Sequence, residues 1–68
     1  MFTRRQLELL YVHARSTGER LEPEIETQIA DDEGLAYVYV LNVLKPGIRP
    51  YPIGEYLRKL ARSYSSNA

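Results

Sequence analysis

The chain has 68 residues, no cysteine, and nine basic against nine acidic side chains. This length allows one domain, and the absence of cysteine excludes disulfides and zinc sites built on thiolates. The acidic segment 19–33 holds seven acids and one arginine, whereas both flanks are basic. The first residues lack the unbroken apolar stretch of a signal peptide or a membrane span, so we expect a cytoplasmic protein without a membrane partner.

The first predicted helix covers roughly residues 4–16. Thr3 and Gln6 have the spacing of a capping box, in which the threonine hydroxyl accepts from the third helical amide and the glutamine side chain reaches back to the cap. Gly18 supplies the left-handed residue that ends such a helix. Apolar residues at spacings of three and four predict one core-facing stripe. These residues are Leu7, Leu10, Tyr11 and Ala14.

The next segment is compatible with two structures. Apolar or β-branched residues alternate with polar ones across 25–29, and the run 35–44 is rich in tyrosine and valine, a pattern typical of strands. On that interpretation, residues 24–43 form a β-hairpin in an α+β domain of order α-β-β-α.

Residue types across 29–43 favour two helices instead. Pro23 suits the first turn of a helix, and the neighbouring glutamates suit its positive N-terminal end. Ala30 is small enough for two helices to cross closely, and Gly34 suits a left-handed turn between them.

A final amphipathic helix is predicted after Pro46 and Gly47, which stop the preceding one. Its apolar residues are Ile53, Tyr56, Leu57, Leu60, Ala61 and Tyr64. We therefore predict a single all-α domain over residues 1–64, followed by a frayed tail at 65–68. It has four short helices, of which the second and third form a helix-turn-helix.

This pattern resembles the helix-turn-helix DNA-binding domains of phage repressors of the lambda repressor and Cro type, over residues 23–64. The residues that carry the resemblance are Ile29, Ala30, Gly34, Leu35, Tyr39, Val40, Gly47, Arg49, Pro52, Leu57, Leu60 and Ala61. The resemblance implies a small phage or bacterial transcription regulator that binds duplex DNA through residues 35–45. It also implies a homodimer, because two half-sites multiply the affinity of a small domain.

The chain departs from that family at several positions. Ala36 and Leu41 stand where the family has serines, and Glu33 replaces an apolar residue. Glu24 and Glu26 would repel phosphates at the start of the first motif helix, and phosphate contacts supply most non-specific affinity for DNA. The electrostatic support for DNA binding is therefore poor.

The candidate binding residues follow from this comparison and from their chemistry. The predicted exposed face of the second motif helix holds Ala36, Tyr37, Val38, Leu41, Asn42 and Lys45. Asn42 and Lys45 are standard readers of bases and phosphates, whereas the large apolar side chains equally fit a core or a protein interface. Arg49 and Arg58 are further candidates for contacting phosphate or an acidic partner. Tyr51 lies between two prolines and is a candidate interface anchor.

The alternative function is a non-enzymatic protein-binding module, an inhibitor or adaptor. It would use a tyrosine-rich apolar surface or the acidic segment 19–33 against a basic partner. An enzyme is not expected, because no nucleophile with a base and no phosphate-binding glycine loop is recognisable. We expect no cofactor and no metal: His13 is the only histidine, and the pair Asp31 and Asp32 is better explained by a helix cap.

Overall fold

The computed structural model describes the backbone of residues 1–66 and the side chains of residues 1–64, and it contains four α-helices. These are α1 (Arg4–Thr17), α2 (Pro23–Ala30), α3 (Glu33–Tyr39) and α4 (Ile53–Ser66), with a π-helical turn, Val40–Leu44, that continues α3. The all-α prediction is confirmed. The alternative hairpin at 24–43 is wrong, since residues 1–66 contain no strand.

The ends of α1 form as the sequence predicts. The hydroxyl of Thr3 accepts from the backbone amide of Gln6 at 3.2 Å, and the Gln6 side chain accepts from the Thr3 amide at 2.8 Å. At the other end, Gly18 has a φ of 78° and donates its amide hydrogen to Ala14 O at 2.8 Å. Leu7, Tyr11 and Ala14 of the predicted stripe are buried.

A two-residue turn, Asp31 and Asp32, joins α2 to α3. The Asp32 carboxylate caps α3 by accepting from the amide of Leu35 at 3.1 Å. Gly34 lies in the first turn of α3 and does not adopt positive φ, so its predicted role as the left-handed turn residue is wrong. The chain instead changes direction at Asp32, whose backbone is extended rather than helical, with φ of −108° and ψ of 107°.

The π-helical turn ends at a left-handed residue that the sequence did not indicate. Lys45 has a φ of 48° and donates its amide hydrogen to Val40 O at 3.0 Å. The helix therefore stops directly before Pro46, and Gly47 is not the residue that adopts positive φ.

The core lies where α2 packs against α3 and α4. Tyr39, Ile29 and Leu57 are its largest fully buried apolar side chains. Gly54 lets the start of α4 approach the end of α2 closely, because a Cβ atom there would lie only 2.8 Å from Ala30 O. This contact fixes the relative position of the two helix ends that border the candidate site.

The C-terminal end of α4 extends to Ser66, two residues into the segment predicted to fray, and residues 67–68 lie outside the described part of the chain. No helix of residues 1–66 combines the length and apolar character needed to cross a membrane.

Candidate binding groove

An open groove of about 520 Å³ lies between the C-terminal end of α2, the helix α3, the loop 45–52 and the first turn of α4. Its chemically distinctive lining residues are Asp31, Glu33, Tyr37, Arg49, Tyr51 and Glu55. Ala30, Pro52, Ile53 and Gly54 complete the wall. The close approach at Gly54 therefore helps to shape this groove.

One aromatic ring in the groove is already in contact with a cation of the same chain. The guanidinium carbon of Arg49 lies 4.9 Å from the ring centroid of Tyr37, within the range of a cation–π contact. Tyr51 is 94% exposed beside it, and Ile48 is 86% exposed in the same loop. Large apolar groups are thus presented to solvent next to a site that accommodates a guanidinium.

The charge of the groove is negative. It is lined by three carboxylates and one guanidinium, a sum of −2 that the pairing of Asp31 with Arg58 reduces to −1. Arg58 forms an ion pair with Asp31 at the edge of the groove. Glu33 and Glu55 lie in the first turns of α3 and α4, and neither forms an ion pair with the described residues. Both remain available to a cationic group from outside.

The structure brings together three of the predicted binding residues, Tyr37, Arg49 and Tyr51, and places a fourth, Arg58, next to them. The remaining four lie elsewhere. Val38 is half-buried in a separate groove against α1, and Leu41 is half-buried in the π-helical turn.

Asn42 and Lys45, the predicted readers of nucleic acid, are outside the groove. The Asn42 amide donates to the hydroxyl of Tyr11 at 3.0 Å, so one of its donors is already used. Lys45 is exposed at the end of the π-helical turn. Ala36 was expected on the exposed face of the second motif helix, and this is wrong: it is fully buried, because that side of α3 faces the core.

Sequence reasoning missed the carboxylates as members of this site. Asp31 and Glu33 belong to the acidic segment 19–33, which was itself a candidate surface, so a signal existed for them. Glu55 had no such signal. Its place in the groove depends on how α4 packs against α2, which no local pattern encodes.

A buried polar cluster lies on another side of α2. Glu26 is fully buried, and Arg20 donates to its two carboxylate oxygens at 2.7 and 3.0 Å. Tyr39 donates to the same carboxylate at 2.5 Å and accepts from the amide of Leu21 at 2.9 Å. Glu26 is therefore not at the surface, and the phosphate repulsion expected from it does not apply.

Burial, reinforced by the hydrogen bond to Glu26, raises the pKa of Tyr39 far above its usual value. The hydroxyl is therefore a permanent donor to the carboxylate at ordinary pH. The Arg20 guanidinium lies 4.6 Å from the ring centroid of Tyr64 on α4. This cluster thus links the segment after α1 to α2, α3 and α4, and it explains why a charged residue is stable inside so small a core.

A second ion pair supports the turn that borders the groove. Arg4 donates to the Asp32 carboxylate at 2.6 Å and also pairs with Glu8 at 3.1 Å. The hydrogen bond from Arg4, followed by that from the Leu35 amide, lowers the pKa of Asp32. The cap of α3 thus remains ionised at neutral pH.

The cations lie on several elements of the fold, and three of them are paired within the chain. Arg4, Arg20 and Arg58 are engaged in ion pairs within the chain. Arg5, Arg15, Lys45 and Lys59 are exposed, and they are distributed over α1, the end of the π-helical turn and α4. Among the described residues, no group of histidine, aspartate and glutamate side chains is placed to hold a metal ion.

Comparison of the chain with protein-family models, with curated proteins and with solved structures found no significant match. The geometry of the groove and the charges around it are therefore the indications of function that the molecule offers.

Proposed function

We propose that this protein is a non-enzymatic binding module whose groove receives a basic side chain from a protein partner. The observation that carries the proposal is the contact of a guanidinium, that of Arg49, with the ring of Tyr37 in a groove that also holds the carboxylates of Glu33 and Glu55, which are unpaired among the described residues. A ring face flanked by carboxylates attracts a cation through both the ring quadrupole and the nearby negative charge.

The surroundings of the groove favour a polypeptide as the ligand. Ile48 and Tyr51 are almost fully exposed, and exposed apolar groups beside a polar recognition site are typical of protein-interaction surfaces. A basic side chain would enter between Glu33 and Glu55, while its apolar sequence neighbours cover the exposed loop. Tyrosine suits such a surface because its ring offers contact area and its hydroxyl remains hydrated.

The test is a titration of the ¹⁵N-labelled protein with the peptide acetyl-Gly-Leu-Arg-Leu-Gly-amide, followed by NMR. Amide shifts are expected at residues 31–37 and at the non-proline residues of 49–55. The matching peptide with glutamate in place of arginine is the first control and should leave these signals unchanged. Shifts of equal size with both peptides, or shifts spread over α1, would contradict the proposal.

A pair of variants isolates the contribution of the carboxylates. Replacing both Glu33 and Glu55 by glutamine should weaken binding of the arginine peptide at least about twofold, since each exposed charge contact contributes modestly. The matched control replaces Glu19 and Glu22 by glutamine. It makes the same change in net charge at exposed positions outside the groove, and binding should be unaffected.

A second candidate function is binding of duplex DNA, and the observation that favours it is the tandem of α2 and α3 joined by a two-residue turn. In that case the contacting residues would include Lys45 and Asn42, and a second copy would supply a second half-site. The discriminating measurement is a titration with a 20-base-pair duplex at several salt concentrations. DNA binding requires affinity that falls steeply with salt and shifts at residues 38–45, whereas the module proposed above gives neither.

A further inference from the structure

We infer that Arg49 is a built-in competitor for the groove, which a partner's arginine displaces from Tyr37 on binding. The inference rests on the proposed function. It adds how binding to the groove is regulated and which basic side chain of the partner the groove prefers. In the free protein, the face of Tyr37 is covered by a guanidinium that belongs to the same chain.

The contacts of Arg49 make it displaceable. Its guanidinium stacks on Tyr37 but forms no ion pair with the described carboxylates, although Asp31, Glu33 and Glu55 line the same groove. An exposed cation–π contact is among the weaker attachments available to an arginine. Arg49 is therefore attached to the ring strongly enough to cover it and weakly enough to leave.

The loop that carries Arg49 is suited to such an exchange. Residues 46–51 form no backbone–backbone hydrogen bond with the described chain, so the loop can shift without breaking a regular element. Pro46, Pro50 and Pro52 restrict its conformations, and this keeps Arg49 near the ring at a high effective concentration. Arg49 can therefore leave the ring while remaining close to it.

This arrangement selects for arginine over lysine in the partner. A planar guanidinium stacks on an aromatic face and donates sideways to carboxylates, whereas an ammonium is a compact and strongly hydrated point charge. A lysine of the partner would have to displace Arg49 although its ammonium stacks less well on the ring of Tyr37. The contact with Arg49 lowers the affinity of every basic segment by the same factor, so the preference for arginine comes from its stronger stack on Tyr37.

The test compares the affinity of acetyl-Gly-Leu-Arg-Leu-Gly-amide for the wild-type protein and for Arg49→Gln. Removal of the competitor should tighten binding about two- to fivefold, the factor expected for loss of one exposed cation–π contact. Arg49→Lys retains the charge with a poorer stack and should give an intermediate affinity. Arg15→Gln, on the last turn of α1, changes net charge equally but lies outside the groove and should bind like the wild type.

A direct readout accompanies the affinities. In the free wild-type protein, the ring of Tyr37 should shift the side-chain δ protons of Arg49 upfield, and saturating peptide should return them to ordinary positions. If the peptide binds the wild-type groove but Arg49→Gln binds equally or more weakly, or the Arg49 signals do not move, the competitor role is overturned while the proposed function stands. If neither protein binds the peptide, both fail.

Discussion

Tyr39 and Glu26 are both fully buried, and the tyrosine hydroxyl donates to the carboxylate at 2.5 Å. The same hydroxyl accepts from the backbone amide of Leu21 at 2.9 Å. One oxygen atom thus connects α3 to α2 and to the segment that follows α1. Because the hydroxyl bonds to both the buried Glu26 carboxylate and the half-buried Leu21 amide, its removal breaks two hydrogen bonds.

Tyr39→Phe should lower the free energy of unfolding by about 1–3 kcal/mol, because it leaves the Leu21 amide without its partner and removes one of the hydrogen bonds to the Glu26 carboxylate while preserving the ring. Urea unfolding followed by circular dichroism measures the change. Tyr37→Phe is the matched control: Tyr37 is 40% exposed, so the loss of its hydroxyl should change stability by less than about 0.5 kcal/mol. Equal effects of the two substitutions would show that the buried network is not stabilising.

The ion pair between Arg20 and Glu26 should behave as a coupled unit. Arg20→Gln leaves a buried carboxylate without its counter-ion, and we expect a loss of about 2 kcal/mol, less than for a fully buried pair because Arg20 is one-third exposed. Adding Glu26→Gln should restore part of that loss, since no charge then remains in the core. Urea unfolding of the wild type, both single variants and the double variant gives the coupling energy. Strictly additive losses would refute the coupling.

The sequence predicts the parts of this fold that depend on local signals. The capping box at Thr3, the left-handed Gly18 and the apolar stripes of α1 and α4 involve residues within about one turn of each other, so spacing alone identifies them. Local signals do not decide between helix and hairpin at 24–43, because tyrosine and valine favour strands. Tertiary burial of Tyr39 and Val40 overrides that preference.

The groove and the buried cluster depend on contacts that spacing does not encode. Tyr37, Arg49 and Tyr51 were candidates for their individual chemistry, but their proximity to Glu55 requires α4 to begin beside the end of α2. Glu26 looked like a surface acid in the first turn of α2. Its burial is possible only because Arg20 and Tyr39 supply hydrogen bonds from six and thirteen residues away.

The cap of α3 predicts a specific acid sensitivity. Since the folded protein lowers the pKa of Asp32, the ionised carboxylate contributes stability that is fully present above the unfolded pKa of about 3.9 and is lost as the pH falls through the lower folded value. Asp32→Asn retains a capping side chain but cannot form the ion pair with Arg4. Its stability deficit relative to the wild type should be constant above about pH 5 and should shrink below about pH 4.

Thermal unfolding of both proteins between pH 3 and 7 measures that deficit, and Asp31→Asn provides the control. Asp31 is exposed, pairs with Arg58 and does not cap a helix through its side chain. Its replacement should therefore have a smaller effect on stability across the whole range. A deficit for Asp32→Asn that grows as the pH falls would contradict the assigned role.

The two glycines at helix starts should respond differently to alanine. At Gly54, a Cβ atom would lie 2.8 Å from the backbone oxygen of Ala30, so Gly54→Ala must separate α4 from α2 and should cost about 1–3 kcal/mol despite the better helix propensity of alanine. At Gly34, the nearest atoms to a Cβ are at 3.7 and 3.8 Å, an ordinary contact distance. Gly34→Ala should therefore be neutral or stabilise by up to about 1 kcal/mol.

Urea unfolding of both glycine variants gives the stabilities, and the arginine-peptide titration shows the effect on the groove. Because Gly54 and Ala30 both line the groove, separation of the helices in Gly54→Ala should also weaken peptide binding, whereas Gly34→Ala should bind like the wild type. If Gly54→Ala proved as stable as the wild type, the close approach of α4 to α2 would not be what fixes the groove. Glu55 would then have to be positioned by the buried Leu57 and Ala61 further along α4.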